Sequence, residues 1–161
     1  MKRLFFILLF FGALLLCSCQ EEYGILDYQD REIVAECIIN SEYRVELKKE
    51  QGKCTITVLE PIESKGISFE IGESAYATAG DTKIEMDKSS LKGVCAVADI
   101  FSQSEECLTG ATDSGGGSVL TFQKEACMYQ ITIGANNLPK RVKILSESFE
   151  YDIEICTMEL K

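Results

Sequence analysis

Six of the eight cysteines, those beyond the N-terminal segment (Cys37, Cys54, Cys95, Cys107, Cys127 and Cys156), and an excess of carboxylates are the groups with which this 161-residue chain could do chemistry, and no histidine accompanies them. Without histidine there is no Ser-His-Asp triad, no histidine acid or base, and no common zinc ligand set. The six cysteines are widely spaced with no Cys-x-x-Cys pair, so they form no redox or zinc motif. Their even number would fit a disulfide framework in an exported chain. The long spacings, and the apolar strand positions of Cys37 and Cys54, favour free, buried thiols acting as small hydrophobes.

The remaining polar patterns have plain structural explanations. Asp113-Ser114-Gly115 matches the triplet of aspartic proteases, but that chemistry needs two aspartates sharing one proton between apolar strands. A single copy in a Gly-rich stretch reads as a turn. Glu105, Glu106, Glu147, Glu150, Asp152 and Glu154 lack the ligand spacing of a calcium loop, and the acids that alternate along 150–154 read as the wet face of a strand. No nucleophile, base and oxyanion donor can be assembled, so the expectation is a protein that is not an enzyme and uses no cofactor or metal.

The N-terminus carries a different kind of chemistry. Lys2 and Arg3 precede an uninterrupted apolar run from Leu4 to Leu16, the layout of a secretory signal and too short for a membrane span of about 20 residues. Leu16-Cys17-Ser18-Cys19 resembles the bacterial lipobox, with an aliphatic residue three places before Cys19 and the small Ser18 at the cleavage point. The resemblance implies a signal peptide of residues 1–18 and a diacylglycerol thioether on Cys19, two acyl chains being enough for stable anchoring. Loss of Lys2 and Arg3 would leave 14 basic against 26 acidic residues, a net charge of −12. Such a chain is repelled by nucleic acid and by anionic headgroups, so the lipid on Cys19 would hold it to the outer face of the cell membrane.

Residues 19–30 read as a lipidated tether, and residues 31–161 as a single domain of a length able to bury a core. Period-two alternation dominates that domain. Ile33-Ala35-Cys37-Ile39, Tyr43-Val45-Leu47, Cys54-Ile56-Val58 and Ile67-Phe69-Ile71 each set apolar residues on one strand face. Asn40-Ser41, Gln51-Gly52, Gly72-Glu73 and Gly80-Asp81 supply the hairpin turns. Pairing Val45 with both Cys37 and Val58 keeps three apolar faces together and sets Cys54 opposite Lys49, two rows from Cys37. Between Ser89 and Ser102 the period changes: Leu91, Val94, Cys95, Ala98 and Phe101 form one stripe of a helix capped by Ser89 or Ser90. Residues 102–118 read as a loop. Strands return at 118–123, 127–133, 142–144 and 149–155.

The order implies a mainly β (α+β) fold: a curved antiparallel sheet of about nine to ten strands forming an open half-barrel around one helix. That sheet would be roughly 40 to 45 Å wide, against about 10 to 12 Å for a helix with its side chains. The helix cannot cover it. The sheet must therefore curl, or something else must fill the concavity.

The lipobox, this strand order, Pro61-Ile62-Glu63-Ser64-Lys65-Gly66-Ile67 running into a strand, and Gly134-Ala-Asn-Asn-Leu138-Pro139-Lys140-Arg141-Val142 resemble a group of small, uncharacterised lipoproteins of Gram-positive anaerobes, themselves similar in layout to the Lol-type lipoprotein carriers. The resemblance implies a half-barrel whose concave face takes an apolar ligand or lipid. The residues expected to line it are Val45, Ile56, Val58, Phe69, Ile71, Tyr129, Ile131, Phe149, Tyr151 and Ile153, with the stripe from Leu91 to Phe101 as a lid. The alternative is an envelope interaction or sensor module whose core is filled by its own side chains. Aromatic residues serve an ordinary β core as readily as a pocket.

Overall fold

In the computed structural model the described residues are 31–114 and 117–161. The expected signal segment, Cys19 and the tether lie outside them. Eleven strands are present: β1 (Ile33–Ile39), β2 (Tyr43–Glu50), β3 (Lys53–Glu60), β4 (Ser68–Ile71), β5 (Ala75–Ala79), β6 (Thr82–Met86), β7 (Leu108–Ser114), β8 (Gly117–Lys124), β9 (Cys127–Ile133), β10 (Pro139–Leu145) and β11 (Glu150–Leu160). One helix, α1 (Lys92–Ala98), interrupts them between β6 and β7.

All eleven belong to one antiparallel sheet in the order β6-β5-β4-β3-β2-β1-β11-β10-β9-β8-β7. Each half is a meander, and the pairing of β1 with β11 joins the halves. Strands β6 and β7 do not pair with each other, so the sheet is open. The chain passes from the one edge to the other through α1.

Hairpin chemistry sets the register in the first half. Asn40 and Ser41 both take positive φ, +52° and +59°, and the Glu42 amide donates to the Ile39 carbonyl at 3.0 Å. This is the turn whose twist matches paired strands, and asparagine tolerates its backbone. Val45 then lies opposite both Cys37 and Val58, and Lys49 opposite Cys54, in the register that the apolar pattern predicts. Asn40 also ties the halves together: its side chain accepts from the Asp152 amide at 2.8 Å, and its amide donates to the Asp152 carbonyl at 2.8 Å.

Inward-facing residues of both halves meet in a single core. Ile33, Ala35, Leu47, Leu120, Phe122, Ile131, Val142, Ile144 and Ile153 are wholly excluded from solvent, and Ile100 and Phe101 are buried among them. The outer faces carry ion pairs such as Arg44 with Glu36 at 2.8 Å and Lys53 with Glu70 at 3.3 Å. Exposed pairs of this kind add little stability.

Three expectations need correction. The sheet has eleven strands rather than nine or ten, because Leu108–Ser114 forms β7 where a loop was expected. Residues 109–113 are exposed on both faces of an edge strand, so no alternation marks them. The helix is also shorter than 89–102: α1 has seven residues, flanked by 3-10 turns at Lys88–Leu91 and Ile100–Ser102, with Phe101 outside helical geometry. Finally, no serine caps α1: its N-cap is Leu91, without a side-chain hydrogen bond, and Asp87 caps the 3-10 turn before it, its carboxylate accepting from the Ser89 amide at 2.9 Å.

Gly93 lets α1 sit close to the sheet. A β-carbon there would run into the Tyr151 hydroxyl and approach the ring carbons to 3.1 Å. Gly93→Ala should therefore destabilise the fold by about 1–3 kcal/mol, although alanine is the better helix former. Urea unfolding measures this, and the double variant Gly93→Ala/Tyr151→Phe should recover part of the loss. Equal stability of Gly93→Ala and the parent would show that α1 does not dock this way.

Candidate functional site

Ile100 and Phe101 fill the centre of the concave face, but α1 is too short to fill it all. A cavity of about 820 Å³ remains between the two halves and α1, within the size range of small-ligand pockets. One half contributes the β2–β3 turn with Lys49, Lys53 and Cys54, and the β4–β5 turn with Ile71 and Gly72. The other contributes Lys124, Glu125, Ala126, Cys127 and Tyr129 around the β8–β9 turn, and Ser146, Glu147, Ser148 and Phe149 before β11. The chain entering and forming α1 adds Lys88, Ser89, Lys92, Cys95, Ala96, Ala98 and Asp99. Segments from distant parts of the strand order thus face one space, which requires the sheet to bend round α1.

The expected lining residues divide into three groups. Ile71, Tyr129 and Phe149 line the cavity, as do Cys95 and Ala98 from the helical stripe. Val45, Ile56, Val58, Ile131 and Ile153 point inward but are packed into the core, where Leu91, Ala98 and Phe101 are also buried. Phe69, Tyr151 and Val94 are half-buried and lie outside the lining. Tyr151 stacks on Phe149, with ring centres 5.2 Å apart, beneath the surface of α1 left open by Gly93.

The ring of lysines is the feature that strand patterns did not reveal. Lys49, Lys88, Lys92 and Lys124 come from three separate segments and share one lining, which Lys53 borders from the outer face. One signal was available in the sequence: in β2, the residue after Val45 and Leu47 in the inward phase is Lys49. It is 7% exposed. Lys53 pairs with Glu70 at 3.3 Å, Lys124 with Asp99 at 3.0 Å, and Lys88 donates to the Gly72 carbonyl.

Burial raises the neighbouring thiols and phenol. It pushes the Cys54 thiol up to about 12, reinforced by Asp99 and opposed by Lys49, and it also raises Cys95. Tyr129 is raised far above the ordinary phenol value, first by burial, then by Asp99 and by its contact with Cys127. The two thiols are therefore poor nucleophiles near neutral pH. No disulfide joins the six cysteines, and no cluster of metal-ligating side chains occurs among the described residues. What the cavity offers is a partly open concavity, half apolar, with ammonium groups among its lining residues.

No protein-family model matches the chain, and no curated protein matches it. Among solved structures it is similar to an uncharacterised conserved protein from Thermus thermophilus, at 14% identity and a TM-score of 0.49 over 88% of each chain. It is also similar to a LolA superfamily protein from Nitrosomonas europaea, at 10% identity and a TM-score of 0.43 over 86% of this chain and 92% of that one. A third is a domain from Vibrio parahaemolyticus described as a putative outer membrane lipoprotein-sorting protein, at 10% identity and a TM-score of 0.48 over 88% and 90%. The half-barrel reading rests on the strand order and shared core described above, not on these distant likenesses.

Thiol accessibility provides a direct check on this arrangement. In the folded protein at pH 8, iodoacetamide should modify the exposed Cys156 readily and leave Cys37 and Cys54, both pushed up to about 12 by burial, unmodified until denaturant is added. Peptide mass mapping reads each site. Rapid native modification of Cys54 would contradict its place in the wall.

Proposed function

We propose that this chain is a lipid-anchored envelope protein, not an enzyme, that takes an apolar molecule or lipid chain into the cavity beside α1. The observation that carries the reading is the unfilled space of about 820 Å³ on the concave side of a sheet whose remaining apolar face is packed. Ile71, Ala96, Ala98, Tyr129 and Phe149 would provide the apolar contacts. Burying an alkyl chain there would contribute about 0.8 kcal/mol per methylene. Anchoring through Cys19 at the outer face of the cell membrane would put the cavity within a tether's length of a lipid surface.

A second reading draws on the filled centre around Ile100 and Phe101. A largely self-packed half-barrel would serve as an interaction or sensor module, with the unpaired edges β6 and β7 available to a partner strand. The cavity favours the first reading, because a module that only docks partners has no use for it.

Native mass spectrometry of residues 20–161, which contain the whole sheet and its core, distinguishes the two. Protein purified from a bacterial host without detergent should carry a lipid-sized adduct that leaves on denaturation. A clean apo mass, with no uptake of a fluorescent fatty acid, would favour the interaction module. Mass analysis of the N-terminal peptide from the membrane fraction should show diacylglycerol on Cys19, and an unmodified Cys19 would remove the anchor from the proposal.

A further inference from the structure

We infer that the ligand is an anionic amphiphile: an alkyl chain in the cavity, ended by a carboxylate or phosphate held by the surrounding lysines. The inference rests on the apolar-cavity reading above and adds the chemistry of the headgroup. The chain as a whole has a net charge of −10, yet the lining brings Lys49, Lys88, Lys92 and Lys124 together with Asp99, Glu125 and Glu147. Lys53 and Glu50 also border the space, but their charged ends are paired on the outer face, with Glu70 and Lys48. Asp99 and Lys124 hold each other at 3.0 Å. Against them, Lys88 gives its ammonium to a neutral carbonyl, that of Gly72, and Lys92 forms no ion pair with a described residue.

Position matters as much as number. Lys49 is more than nine-tenths buried on the inward face of β2, and its charge reaches the Cys54 thiol. A cation on the apolar side of a sheet is costly to desolvate. Ammonium groups bordering such a space give a ligand's anionic group strong, charge-assisted hydrogen bonds. Lys88 stands in the turn before α1 and Lys92 at its first residue, and both share the lining with Lys49 and Cys54. An anion entering head-last would meet ammonium groups from the helix and from the sheet, while Ile71, Tyr129 and Phe149 receive the alkyl chain.

The test uses residues 20–161 at pH 8, where the ligand's carboxylate is charged. N-phenyl-1-naphthylamine, a neutral dye, reports on the apolar cavity by its fluorescence. Dodecanoate, dodecyl phosphate and dodecanol then compete for it. Dodecanoate or dodecyl phosphate should displace the dye at a concentration at least about tenfold below dodecanol, as charged hydrogen bonds allow. The more potent of the two identifies the headgroup. The variant Lys88→Gln/Lys92→Gln, changed at exposed positions, should lose several-fold of that preference for the anions over dodecanol, with circular dichroism confirming that it folds.

Equal potency of dodecanol and the anions, with normal dye uptake, would overturn the anionic headgroup and leave the apolar cavity intact. Displacement by inorganic phosphate alone would also overturn it, since the alkyl chain would then be irrelevant. Absence of dye uptake together with no calorimetric binding of dodecanoate would bring down the underlying reading as well.

Discussion

A connection of 21 residues, from Asp87 to Cys107, has to carry the chain between opposite edges of an eleven-stranded sheet. Laid flat, such a sheet would be roughly 48 Å across from β6 to β7 at the usual strand spacing. The connection, built from one seven-residue helix and three 3-10 turns, has a contour length of roughly 45 Å when its segments are placed end to end. It could not cross a flat sheet and still pack against it. Bending brings the edges within reach, and it also makes one face concave and lets the two halves share one core. The dependence runs from chain length to curvature, and from curvature to the concave site.

The same connection decides what is filled and what is left open. Ile100 and Phe101 project into the centre and are almost wholly buried. Tyr129, Leu120 and Ile131 of the second half join Leu47 and Ala35 of the first in the surrounding core. Seven residues of α1, brought close to Tyr151 by the absence of a side chain at Gly93, cover one part of the remaining face. Beyond them the turns of the two halves stand apart, and the cavity lies between them. Its polar wall follows from the same geometry, because hairpin turns and helix entries are where a β domain keeps its charged residues.

The register of β1, β2 and β3 was legible because both hairpins that join them couple a strict apolar alternation to a short turn with the right residues. Slipping β2 by one place would turn Val45 and Leu47 to solvent. The edge strand β7 was not legible, since both of its faces are largely wet and it borrows its order from β8. The helix was recognisable as a change of period, but its ends were not: Asp87 starts a 3-10 turn rather than α1, and Phe101 reaches the core from outside helical geometry. The expected ligand surface was drawn from apolar periodicity alone. Periodicity finds every inward side chain, and it cannot separate those packed into the core, such as Ile131 and Ile153, from those that border a space, such as Ile71 and Phe149. The lysines could be assembled only by the fold, with the inward phase of Lys49 the single local sign.

The central claim is that the space beside α1, rather than the packed centre of the half-barrel, receives an alkyl chain. Anomalous diffraction from crystals of the protein grown with 12-bromododecanoate tests it most directly. A bromine peak within contact distance of Ile71, Tyr129 and Phe149 is the result expected. Bromine bound only on the outer face, or among displaced Ile100 and Phe101 side chains at the centre of the sheet, would contradict it.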